Sequence, residues 1–197
     1  GMREWMIWYK KQTGFDGLRI DAVKHFPTEV TEDFLWNLRY GAGWANSGDQ
    51  FFAFSEWVDF NKTVLDNFCS TVQNRTGTFD FSLRWGIHQM VTGLGNFDMG
   101  SLVNFQQDNR LMTVPFVNNH DTYRPIYDRN NKDSAWEIGR ELAPHINREE
   151  PRWALAHAMI LAVDGSPMIY FDDLFDIGTS GNRFKHHPLD TAKLKIN

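Results

Sequence analysis

Residues Gly14 to His25 read Gly-Phe-Asp-Gly-Leu-Arg-Ile-Asp-Ala-Val-Lys-His, so Arg19, Asp21, Lys24 and His25 crowd the end of an apolar strand. Side chains alternate along a strand, which puts Phe15, Gly17, Arg19 and Asp21 on one face and Leu18, Ile20 and Ala22 on the other. If Leu18 and Ile20 pack on helices, Arg19 and Asp21 point to the opposite face of the sheet. Opposite charges buried this close are costly unless they pair. A carboxylate held beside a guanidinium stays ionised, as a nucleophile must. A purely structural ion pair at a strand end fits the same residues. Two further clusters follow apolar runs. Glu56 ends Phe52-Ala53-Phe54-Ser55-Glu56 and shares strand parity with Phe52 and Phe54, so its carboxyl completes an aromatic face. His120 and Asp121 follow Val114-Pro115-Phe116-Val117. A lone His-Asp pair is commonly a surface turn, but a strand of buried type before it argues against that reading.

The elements that must position these groups alternate along the chain. A helix is expected over 3–12, with Trp5, Trp8 and Tyr9 at helical spacing and Gly14 as its stop. Strands are expected near 15–22, 51–57, 78–83, 113–118 and 168–171. Between them lie helices opened by Thr31-Glu32-Asp33, running through Val64, Leu65 and Phe68, containing Ile87, Met90 and Val91, and spanning about 151–163. Residues 172–197 read as loop followed by the start of another helix. Repeated strand–helix alternation predicts a parallel sheet covered by helices, an α/β fold. A doubly wound sheet would carry a Gly-rich phosphate loop after its first strand, and none is present. Polar candidates at the C-terminal ends of three strands favour a TIM-type (β/α)8 barrel.

Composition narrows the partners. A net charge of −5 with no basic cluster argues against nucleic acid. No run approaches the roughly 20 apolar residues of a membrane span, and no signal peptide is visible. The single cysteine, Cys69, excludes an internal disulfide and reads as a small helix-core residue. Asn-x-Thr sequons stand at Asn61 and Asn74. No Cys pairs or His-Glu-x-x-His pattern point to zinc.

The stretch Gly14–His25 resembles the segment around the catalytic nucleophile of the α-amylase family of glycoside hydrolases. Phe52-Ala53-Phe54-Ser55-Glu56-Trp57 resembles the strand bearing that family's acid/base glutamate, and Phe116-Val117-Asn118-Asn119-His120-Asp121 the strand bearing its third carboxylate. The three motifs occur in the family's order, and the resemblance runs over essentially the whole chain. It implies that the five strands correspond to strands 4–8 of the barrel. The 197 residues would then form a partial catalytic domain, lacking strands 1–3, the excursion domain and the C-terminal β-domain. A full barrel takes about 250 residues. Five strands cannot close, so the missing N-terminal half-barrel is an expected partner, and the fragment alone is expected to be inactive.

The resemblance also implies a reaction. Retaining glycosidases place two carboxyls about 5–5.5 Å apart across the scissile bond. Asp21 would be the nucleophile with Arg19 keeping it ionised, and Glu56 the acid/base. Asp121 would hold sugar hydroxyls and stabilise the oxocarbenium-like transition state. Arg19, Lys24, His25, His120 and, more loosely, Arg183 would bind substrate. The family position at His25 often gives its backbone carbonyl to Ca²⁺. Calcium is thus implied for a full-length protein, with no ligand set in this chain to support it. The expected substrate is an α-1,4-linked glucan oligo- or polysaccharide. A transglycosylase or cyclodextrin-type enzyme of the same family, and a non-catalytic carbohydrate-binding or scaffold homologue, are the alternatives. Retention of all three carboxylates argues against the last.

Overall fold

The computed structural model describes residues 1–43, 52–122, 143–146, 150–176 and 195–196. The chain divides into two compact units: residues 1–83, 105–114 and 164–166 form the first, and 84–104, 115–163 and 167–197 the second.

The first unit is built on four parallel strands, β1 (Gly17–Ile20), β2 (Phe52–Ser55), β3 (Gly77–Phe79) and β4 (Thr113–Val114), hydrogen-bonded in that spatial order. An order that follows the chain without reversal is a singly wound sheet. The switch point of a doubly wound fold would break it. Helices α1 (Met2–Thr13), α2 (Thr28–Gly41) and α3 (Lys62–Thr71) separate or precede the strands. Each boundary has a local cause. Gly14 ends α1 in the left-handed conformation at φ 71°, its N–H bonded to the Lys10 carbonyl at 2.8 Å. Asn61 caps α3 by accepting from the Thr63 N–H at 3.0 Å. Helix α2 begins at Thr28, a turn before the expected Thr31, because Pro27 cannot continue a preceding helix and already fits the N-cap. Thr31 is instead buried.

Leu18 packs with Met6 and Leu38 of the two flanking helices, while Ile20 packs against the cluster of Val23, Phe68, Cys69 and Val72. The apolar face of β1 is therefore spent on helices, as alternation requires, and Arg19 is turned the other way. Two glycines allow the strands their close approach. A Cβ at Gly17 would meet the Phe52 carbonyl oxygen at 2.6 Å, and one at Gly77 would lie 1.4 Å from that of Met112.

Two strand expectations are corrected. The alternating run 78–83 is a strand only to Phe79, and α4 (Phe81–Thr92) starts directly after it. Asp80 makes the switch: its buried carboxylate accepts from the Leu83 N–H at 2.9 Å, ending the strand and opening the helix. The expected fifth strand at 168–171 reduces to one parallel bridge, Met168 to Phe116, and Phe171–Leu174 is a short helix. Pro167 has no N–H to extend the ladder on one side, and the helix beginning at Phe171 ends it on the other.

The second unit, taken alone, holds the bridge between Phe116 and Met168, α5 (Trp153–Ala162), α6 (Phe171–Leu174) and a two-residue antiparallel pair, β5 (Phe175–Asp176) with β6 (Lys195–Ile196). That pair stands where loop and a new helix were expected. Ile87, Phe116, Val117, Ile146, Ala156 and Ile160 are buried in it. Among the described residues no helix is long and apolar enough to cross a membrane.

Candidate active site

Strand register brings the first two carboxylates together. Ile20 is level with Ser55, so the next residues of the two strands, Asp21 and Glu56, emerge side by side on the face that carries Arg19 and Phe54. The Arg19 guanidinium then serves both. One terminal nitrogen lies 2.8 Å from Asp21 Oδ1 and the other 3.0 Å from Glu56 Oε1. The two acids differ in setting: the Asp21 side chain is 69% exposed and that of Glu56 only 9%. One carboxyl is open to solvent, and the other is enclosed beside it.

Glu56 is fastened to the end of β1 through its backbone as well. Its N–H donates to the Ile20 carbonyl at 2.8 Å, and its carbonyl accepts from Val23 N–H at 3.2 Å. The Ala22 N–H approaches Glu56 Oε2 at 3.4 Å. Ala22 takes the left-handed conformation, φ 51° and ψ 36°, a strained choice for a residue with a Cβ. That kink turns the chain sharply out of β1 into the 3₁₀ turn Val23–His25. Nothing in the residue type foretold it, because alanine carries no left-handed preference.

Lys24 reaches the second strand's loop, donating to the Val58 carbonyl at 3.1 Å with Asp59 Oδ2 at 3.6 Å. His25 closes the 3₁₀ turn through its N–H to the Ala22 carbonyl, and its side chain is exposed. Arg183 lies outside the described residues. Among the described residues no group of three or more His, Cys, Asp or Glu could hold a metal ion, and the His25 carbonyl is a single oxygen.

His120 and Asp121 belong to the second unit. Asn119, which the sequence reading passed over, shapes their turn. Its Oδ1 accepts from the N–H groups of both Asp121 and Thr122 at 3.0 Å, and its own N–H donates to Thr122 Oγ1 at 2.9 Å. The Asn-x-x-Thr spacing is the signal that could have revealed this Asx turn. His120 Nε2 stands 3.1 Å from Asp121 Oδ2.

No family model matches the chain. Over 98% of its length it is 28% identical to a glucan 1,4-alpha-maltohexaosidase of Bacillus sp. strain 707, covering 35% of that protein. It is 27% identical over the same share to an alpha-amylase of Bacillus licheniformis, covering 34% of it. The fold matches an alpha-amylase from Geobacillus thermoleovorans complexed with acarbose, at a TM-score of 0.57 and 18% identity over 87% of this chain and 35% of that one. The four parallel strands thus match part of an amylase (β/α)8 barrel. The chain spans about a third of the length of the relatives it matches. It is a homologue of the α-amylase family of glycoside hydrolases.

Proposed function

We propose that this chain is the catalytic-face portion of a retaining glycoside hydrolase acting on α-1,4-linked glucans, its four parallel strands equivalent to the fourth to seventh of the barrel and the Met168 bridge to the start of the eighth. The observation that carries the reading is the single Arg19 guanidinium shared between Asp21 and Glu56. Asp21 attacks the anomeric carbon, forming the glycosyl ester as the C–O bond to the leaving sugar breaks. Glu56 gives its proton to the leaving oxygen, then takes one from the water that hydrolyses the ester. Arg19 bridges and orients both carboxyls. Asp121, held in its turn by Asn119, grips sugar hydroxyls and stabilises the positive charge that develops on the ring. Lys24, His25, His120 and Arg183 are assigned to substrate, and calcium to parts of a full-length protein. The acarbose complex of the fold relative supports a glucan-like ligand.

The test uses the full-length protein on maltohexaose. Asp21→Asn and Glu56→Gln should each lower kcat by roughly three orders of magnitude or more with the fold retained. The first product released by the unaltered protein should be the α-anomer, read by NMR. Ordinary turnover in both variants, or a β-anomeric product, overturns the reading. The 197-residue chain alone should show no turnover.

A further inference from the structure

The second unit encloses an arginine that the proposed chemistry does not use. Arg84, fully buried in α4, donates from Nε to the Val117 carbonyl at 2.7 Å. From one terminal nitrogen it donates to the Pro144 carbonyl at 2.6 Å and to Asn118 Oδ1 at 3.3 Å. Its guanidinium carbon lies 5.7 Å from the centre of the Phe116 ring. Asn118 passes the restraint on. Its Nδ2 donates to the buried Asp173 at 2.9 Å and to the Ile146 carbonyl at 2.9 Å, and its Oδ1 accepts from the Ile146 N–H at 3.2 Å. Three consecutive residues, Phe116, Val117 and Asn118, are thus gripped by one rigid cation. The next three are Asn119, His120 and Asp121.

Burying a guanidinium and a carboxylate is a poor way to gain stability, since apolar side chains of similar volume do as well or better. What a planar fork does offer is direction: several acceptors fixed at once in one geometry. We propose that Arg84 is a positioning residue for the Asn119–Asp121 turn, acting through the Val117 carbonyl and the Asn118 side chain. The proposal rests on the role assigned above to Asp121. Displacing a transition-state group by about 1 Å costs up to about 100-fold in rate, so Arg84 acts on kcat without touching sugar.

The experiment compares Arg84→Met/Asp173→Asn, which leaves neither charge buried, with Arg84→Lys and with Asp121→Asn in the full-length protein on maltohexaose. Activity is expressed per folded molecule, from near-UV circular dichroism and thermal melting. The double variant should lose about 10- to 100-fold in kcat while KM stays within about threefold. Arg84→Lys should fall between it and the parent, because a lysine reaches fewer of the acceptors at once. A folded double variant with kcat within twofold of the parent overturns the proposal. If the double variant does not fold, Arg84→Lys decides alone: unchanged kcat overturns, and a loss with unchanged melting supports. Asp121→Asn keeps the two failures apart. Full activity there sinks the role of Asp121, whereas loss there with intact Arg84 variants sinks only the positioning role.

Discussion

Two arginines, one in each unit, organise strand ends in opposite ways. Arg19 is 31% exposed and spans two carboxylates, one of them open to water. Arg84 is sealed from water and spends its donors on carbonyl oxygens and an asparagine. Burial pushes its pKa down to about 9, with Asp173 partly restoring it. The difference follows from what each neighbourhood must do. In the proposed chemistry a reactant has to reach Asp21, and the pair there lies open to water and to the screening that comes with it. A backbone segment has only to be held, and a dry interior makes each of those hydrogen bonds stronger.

Substituting both arginines by methionine breaks or sharpens this contrast. Arg84→Met should cost about 3–5 kcal/mol, because it leaves the buried Val117 carbonyl and Asn118 Oδ1 without their donor and removes the cation that offsets buried Asp173. Arg19→Met should cost less than that, since Asp21 is hydrated and only Glu56 beside it is enclosed, yet it should abolish nearly all turnover. Urea melts paired with assays read both numbers. Equal destabilisation of the two variants would erase the distinction.

A buried carboxylate in the first unit tests the same idea with pH. Asp80 is fully buried, and burial raises its pKa to about 6, against the opposing pull of hydrogen bonds from Leu83 and Gln107. The native state therefore keeps this proton up to about pH 6, while the unfolded chain releases it near 3.8. Stability from the protonated form is complete below about pH 4 and is lost as pH rises to 6, on the order of 2–3 kcal/mol. Asp80→Asn should remove that slope in urea melts taken between pH 4 and 7. A variant whose pH dependence matches the parent would show that Asp80 is not held protonated.

The smallest effect is expected at Cys69. Burial first, and then Asp66, push its thiol up to about 12, so almost no thiolate exists near neutrality. Iodoacetamide at pH 8 should leave the native chain unlabelled and react only after urea is added. Labelling at the native-state rate of a free thiol would mean that the packing of α3 on the sheet opens readily.

Asp21, Glu56 and Asp121 were legible in the sequence because each follows an apolar run of strand parity, and parity is a local property. The same rule misread 78–83. Phe81, Ser82 and Leu83 alternate like a strand, but Asp80 caps a helix there, and a cap outranks a three-residue pattern. The apolar run 168–171 was overstated for another reason: apolar residues after a proline say nothing about whether a neighbour supplies partners for a full ladder.

Strand–helix alternation was enough to give the class of fold, and the order of the three motifs to give the family resemblance, because side-chain identity and period 2 or 3.6 are written residue by residue. Three matters waited for the tertiary structure. The pairing of Ile20 with Ser55 decided that Asp21 and Glu56 share one guanidinium. The left-handed turn at Ala22 decided how the chain leaves β1. The burial of Arg84 against Val117 and Asn118 decided what steadies the third carboxylate's strand. Register, backbone strain and burial depend on residues dozens of positions apart, and no local period records them.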